Sequence, residues 1–201
     1  MLKRFIQKMS LIVLLTVSLS SPAFAAVDYQ VENQPQVIER VVQFEQKGIL
    51  KQKPNGYLYL EVSRDFISET LPLLDVSGII VPPRHYTSKK GIGAHISVMY
   101  ENEQIMNEIW EIKELGQEFT FTVLELRTVK LNKNNKVKKL WLLAVSAPEL
   151  EKLRESYGLE SKLKGHDFHI TIGTQVPGKQ LQLDVEVDNK VYEDIEELEA
   201  A

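Results

Sequence analysis

Two short phrases in this 201-residue chain repeat one another: His95-Ile96-Ser97-Val98 and His169-Ile170-Thr171-Ile172. On a strand, residues i and i+2 point to one face and i+1 to the other. Each phrase therefore presents an imidazole beside a hydroxyl, while its aliphatic residues anchor the strand in a core. Two imidazoles and two hydroxyls converging on one small volume are what metal-free phosphodiester chemistry needs. One imidazole takes a proton from the attacking water or hydroxyl, and the other protonates the departing oxygen. The hydroxyls donate to the non-bridging phosphate oxygens as charge builds up there. Imidazole suits both proton roles because its ordinary pKa of about 6.5 lies near working pH. A lone His-x-Ser or His-x-Thr is unremarkable, but here two of only four histidines carry it. His95, His169, Ser97 and Thr171 are the candidate catalytic residues.

The elements that must position these phrases read as follows. Asn33–Lys47 has a helical stripe of Val37, Ile38, Val41, Val42 and Phe44, with Pro35 in its first turn and Gly48 as its expected left-handed C-cap. The turn Lys53-Pro54-Asn55-Gly56 leads into a strand over Tyr57–Val62. Ser63 to about Leu74 reads as a helix broken near Pro72, Gly78–Pro83 as extended or loop, and Ala94–Tyr100 as the strand carrying the first phrase. Glu101–Leu115 fits helix or strand, with Ile105, Ile109, Trp110 and Ile112 as buried candidates. Phe119–Leu131 and Val137–Ser146 alternate on either side of the polar turn Asn132–Lys136 and predict a hairpin. Ser146-Ala147-Pro148-Glu149 reads as a capping box opening a helix to about Tyr157. Phe168–Gly173 is the strand of the second phrase, Leu181–Val187 a possible edge strand, and the acidic tail 191–201 lies outside the fold. Each phrase thus follows a strand, a helix cap and a helix, a repeat of pattern more than of identity. The two β-α-β units suggest two lobes (about 55–115 and 118–187, within a domain 26–190) related by an approximate two-fold axis.

The paired His-x-Ser/Thr phrases on two matched units resemble the two-histidine (2H) phosphoesterase superfamily, which includes bacterial RNA 2′,3′-cyclic phosphodiesterases, over about Tyr57 to Gly173. The resemblance implies a bilobal α+β fold, two pseudo-symmetric β-α-β lobes with antiparallel sheets around a central cleft, and a metal-free phosphodiesterase acting on 2′-5′-linked or 2′,3′-cyclic phosphates. His95 and His169 would be its catalytic pair, and Ser97 and Thr171 the hydroxyls that contact phosphate. A module that binds a nucleotide or phosphate ester without turnover is the second reading.

Other features are weaker. His166 and His169 form His-x-x-His, but an i, i+3 pair on a strand points to opposite faces, so no metal and no other cofactor is expected. Lys90, between Lys89 and the glycines Gly91 and Gly93, could touch phosphate. Tyr59, Tyr86, Tyr100 and Trp141 could stack on a base; core packing competes for each of them. The chain has no cysteine, which excludes disulfides, thiolate metal sites and a cysteine nucleophile. A formal net charge of −4 argues against a broad grip on duplex nucleic acid. The expected partner is a nucleotide or RNA-end phosphodiester, and the protein is expected to be a monomer. Lys3, Arg4 and Lys8 precede an apolar run and then Ala23-Phe24-Ala25, which reads as a secretory signal over 1–25 cleaved after Ala25. A periplasmic or secreted location, without stable membrane association once the signal is removed, follows from it. Cleavage would leave 21 basic against 28 acidic side chains.

Overall fold

A computed structural model describes residues 29–133 and 136–176. The signal-like segment, the possible edge strand at 181–187 and the acidic tail lie outside the described residues. In chain order the elements are β1 (Tyr29–Val31), α1 (Pro35–Val41), β2 (Lys47–Gln52), β3 (Leu58–Val62), α2 (Asp65–Ser68), β4 (Ile79–Val81), α3 (Arg84–Thr87), β5 (His95–Met99), α4 (Glu101–Met106), β6 (Glu118–Thr120), β7 (Thr122–Lys133), β8 (Lys136–Ser146), α5 (Pro148–Ser156) and β9 (His169–Val176). The fold is α+β. The strands join in one antiparallel sheet of order β1-β7-β8-β9-β5-β3-β2-β6, with β4 added on β9. The hairpins β2–β3 and β7–β8 flank β5 and β9, which meet at the centre through the pair Ile96–Ile170.

Alternation along the central strands sends Leu60, Val62, Ile96, Val98, Leu143, Val145, Ile170 and Ile172 into one core with Val37, Val41, Phe66, Ile67, Leu150 and Leu153 from the helices. Burying such side chains contributes about 1.5–3 kcal/mol each. Because the helices cover that face, the residues between these aliphatics are left to the opposite face of the sheet.

Several local expectations are corrected by the structure. Helix α1 stops at Val41, and Gly48 lies within β2, opposite Val62. A Cβ at Gly48 would stand 2.3 Å from the Glu61 carbonyl oxygen, so this glycine is required by close strand approach instead of by a helix cap. The segment Ser63–Leu74 is one short helix followed by a 3₁₀ turn over Leu71–Leu73, with Pro72 in the turn. Ile105 and Trp110 are exposed, at 55% and 78%, while Ile109 and Ile112 are buried; α4 ends at Met106, and the irregular segment after it does not keep a helical stripe. The capping box at Ser146 does not form. Ala147 is the N-cap of α5, and the Glu149 carboxylate accepts instead from the Thr120 N–H and hydroxyl, both at 2.9 Å.

Candidate active site

β5 and β9 pair antiparallel at Ile96–Ile170, with His95 and Ser97 flanking Ile96 on one strand and His169 and Thr171 flanking Ile170 on the other. By alternation all four side chains lie on the face opposite the aliphatics that pack on α1, α2 and α5. The two imidazoles are near enough for His169 to act electrostatically on His95. The rows continue outward. Leu142 stands across from Thr171 and Arg127 across from Leu142, while Ala144 stands across from His169 and Tyr59 across from Ser97.

Both imidazoles are held in the same way. His95 Nδ1 lies 3.0 Å from the Gly93 carbonyl, and His169 Nδ1 lies 3.2 Å from the Asp167 carbonyl. A carbonyl only accepts, so each Nδ1 carries its proton and each Nε2 of the neutral ring keeps a lone pair. Gly93 serves its partner from a left-handed backbone, φ +78°, that glycine adopts without strain. The Asp167 side chain is tied to Arg127 and Lys162, which keep its carboxyl below the usual range and fix the loop that aims His169.

A third histidine, His85 from α3, sits edge-on to His95 with ring centroids 4.4 Å apart. No motif marks it in the sequence, since it stands outside the paired phrases and reaches His95 only once the chain is folded. The N–H of Gly93 bonds the His85 carbonyl at 2.9 Å, which closes that loop. Tyr57 likewise carries no motif signal. Its hydroxyl is 2.5 Å from Ser97 Oγ, and its ring stacks on Tyr59 and Tyr100 at 5.9 and 6.0 Å and meets His95 edge-on at 6.1 Å. Lys53 places its ammonium 5.2 Å from the Tyr57 ring.

The remaining candidates fall in different places. Tyr59 is buried against His95, with centroids 5.9 Å apart, and Tyr100 is buried behind Tyr57. Tyr86 packs on the core beneath the Arg64 guanidinium. Trp141 is only 2% exposed and belongs to the apolar core, its indole N–H donating to Gln175 Oε1 at 3.3 Å. No base can stack on it there, because β8 turns Leu142 and Ala144, not Trp141, to the imidazole face. Lys90 is exposed on the loop after α3, its backbone N–H bonded to Ser88 Oγ. His166 precedes β9 and packs edge-on against Tyr29 at 5.8 Å. Among the described residues no group of three or more His, Asp or Glu side chains could hold a metal ion, and no helix is long and apolar enough to cross a membrane.

Burial depresses the basicity of all three site imidazoles. His95 is pushed down to about 4, by removal from water first and then by the Lys53 ammonium and His169, against the opposing pull of the Gly93 carbonyl. His85 is pushed down to about 2 by burial and by His95 and Lys53. His169 is lowered chiefly by burial. Below its unfolded pKa of about 6.5, an unfolded histidine binds a proton that the folded one refuses. Stability is therefore full above that pH and falls as pH drops toward the folded values. His95 alone accounts for about 2 kcal/mol between pH 7.5 and pH 5. The urea midpoint should fall over this interval, and His95→Gln should flatten the fall; equal midpoints at the two pH values would contradict neutral burial.

A sheet face carrying two tautomer-matched imidazoles and two hydroxyls is a candidate site for phosphoester chemistry. A family model described as the Swiss Army Knife 2H phosphoesterase domain (2H-SAK) matches residues 58–178. The chain belongs to this 2H phosphoesterase family, and its activity is in general terms of the phosphodiesterase type. Comparisons with curated proteins and with solved structures returned no match.

Proposed function

We propose that this chain is an exported, metal-independent phosphodiesterase that hydrolyses 2′,3′-cyclic or 2′-5′ phosphodiesters of nucleotides or RNA ends, its two lobes related by an approximate two-fold axis. The observation that carries the reading is the shared tethering of His95 and His169, each through Nδ1–H to a backbone carbonyl two residues earlier, with Nε2 left for the substrate. One neutral Nε2 accepts a proton from water as the water oxygen bonds to phosphorus. The other imidazole, protonated, gives its Nε2 proton to the ribose oxygen as the P–O bond breaks. Ser97 and Thr171 donate to the non-bridging oxygens, where negative charge grows. Burial leaves the empty site with neutral rings, and the negative charge of a docked phosphodiester favours protonation of one of them. Substrate binding is thus expected to take up a proton. Export is proposed from the basic and apolar sequence that precedes Ala25.

The test is a turnover screen of the purified chain over 2′,3′-cyclic nucleotides, 2′-5′ dinucleotides and aryl phosphodiesters, with and without excess EDTA. Turnover that survives EDTA is expected, since the proposed groups move protons and stabilise charge without a Lewis acid. Binding without turnover would replace the enzyme reading by that of a binding module, and loss on chelation restored by a divalent metal would overturn metal independence.

A further inference from the structure

We propose that Tyr57 is a positioning residue that orients the Ser97 hydroxyl for the phosphoryl group, an inference that rests on the phosphodiesterase reading. A serine hydroxyl rotates, and unheld it spends part of its time pointing its proton away from the substrate. Ser97 is not unheld: the Tyr57 oxygen lies 2.5 Å from its Oγ. Either oxygen can donate, but a phenol, with a pKa of about 10, is more acidic than an aliphatic alcohol, so the Tyr57 O–H is the donor. Ser97 Oγ then spends a lone pair on Tyr57, and its own proton is left for a non-bridging phosphate oxygen. Donation from the phenol also polarises the Ser97 O–H, which strengthens the bond it makes in turn.

The setting of Tyr57 suits this role. Its ring is braced by stacking on Tyr59 and Tyr100 and by the edge contact with His95, so its hydroxyl has little freedom. The tight turn over Lys53–Gly56 fixes where the residue enters β3: the Gly56 N–H bonds the Lys53 carbonyl and the Lys53 N–H bonds the Tyr57 carbonyl, both at 2.9 Å. The first phrase therefore includes a member 40 residues upstream of Ser97 that its linear motif omits.

The experiment is a double-mutant cycle with Tyr57→Phe and Ser97→Ala, read as kcat and KM for hydrolysis of 2′,3′-cyclic AMP. Tyr57→Phe keeps the stacked ring and should leave Tm within about 2 °C. It should lower kcat about 10-fold with KM changed less than twofold, since the aligned hydroxyl acts where charge develops. In the Ser97→Ala background the same change should have no further effect, because the group it positions is gone. A loss of the same size in both backgrounds, or an unchanged kcat in Tyr57→Phe, would overturn the assignment while the enzyme reading stands. A wild-type chain that turns over none of the screened diesters overturns both.

Discussion

His95→Ala and His169→Ala are each expected to lower kcat on a 2′,3′-cyclic nucleotide by about 10²–10⁴-fold, the usual worth of one positioned proton-transfer group. The double variant should be little worse than the poorer single, since an acid and a base that serve one proton circuit act as a unit. Ser97→Ala and Thr171→Val remove one phosphate hydrogen bond each and should cost about 10–10³-fold. The pH–rate profile of the native chain should be bell-shaped, with one limb lost in each histidine variant. His95 is only 6% exposed, so its alanine variant also loses packing. His95→Gln, which keeps more of the bulk, separates that loss from the loss of proton transfer. Full activity per folded molecule in the histidine variants would remove both from the chemistry.

The largest effect on stability is expected at Arg154, which is 1% exposed on α5. Its guanidinium donates to the Glu160 carbonyl at 2.8 Å, the Val98 carbonyl at 2.6 Å, the Lys162 carbonyl at 3.3 Å and both oxygens of Glu103 at 2.8 and 3.2 Å. Glu103 in turn accepts the Tyr100 N–H at the start of α4. One side chain thus joins β5, the first turn of α4 and the loop leading to His169. Arg154→Ala leaves a largely buried carboxylate and three carbonyls without their donor, a loss of about 3–5 kcal/mol. The urea midpoint should drop accordingly. Arg154→Lys should recover only part of it, because an ammonium cannot reach all these acceptors in the guanidinium's planar fork. A midpoint for Arg154→Ala within about 1 kcal/mol of native would show that the network contributes little.

What could be read from the residues alone is what depends on local geometry. The period of two in His95-Ile96-Ser97-Val98 and His169-Ile170-Thr171-Ile172 requires each imidazole and its hydroxyl to share a face wherever the strand lies. The long hairpin of β7 and β8 follows from alternation around a polar turn, and the turn Lys53–Gly56 follows from its proline and glycine. Local signals misled where a tertiary contact outweighed them. Gly48 resembles a helix C-cap in sequence, yet it is needed because β3 passes too close for a side chain, and Glu149 leaves a capping box for Thr120.

Only the tertiary structure decided which strands are neighbours and in what register. Pairing Ile96 with Ile170 joins segments 74 residues apart, and burial of both aliphatics, not any local propensity, selects it. That single pairing brings the two His-x-Ser/Thr phrases onto neighbouring central strands. Long-range packing likewise delivers Tyr57 to Ser97 and Arg154 to Val98, while the short loop that the Gly93 N–H closes on the His85 carbonyl brings His85 to His95. Their roles come from burial: out of water, an unpaired hydroxyl or guanidinium is costly, so each must find its partner across the fold.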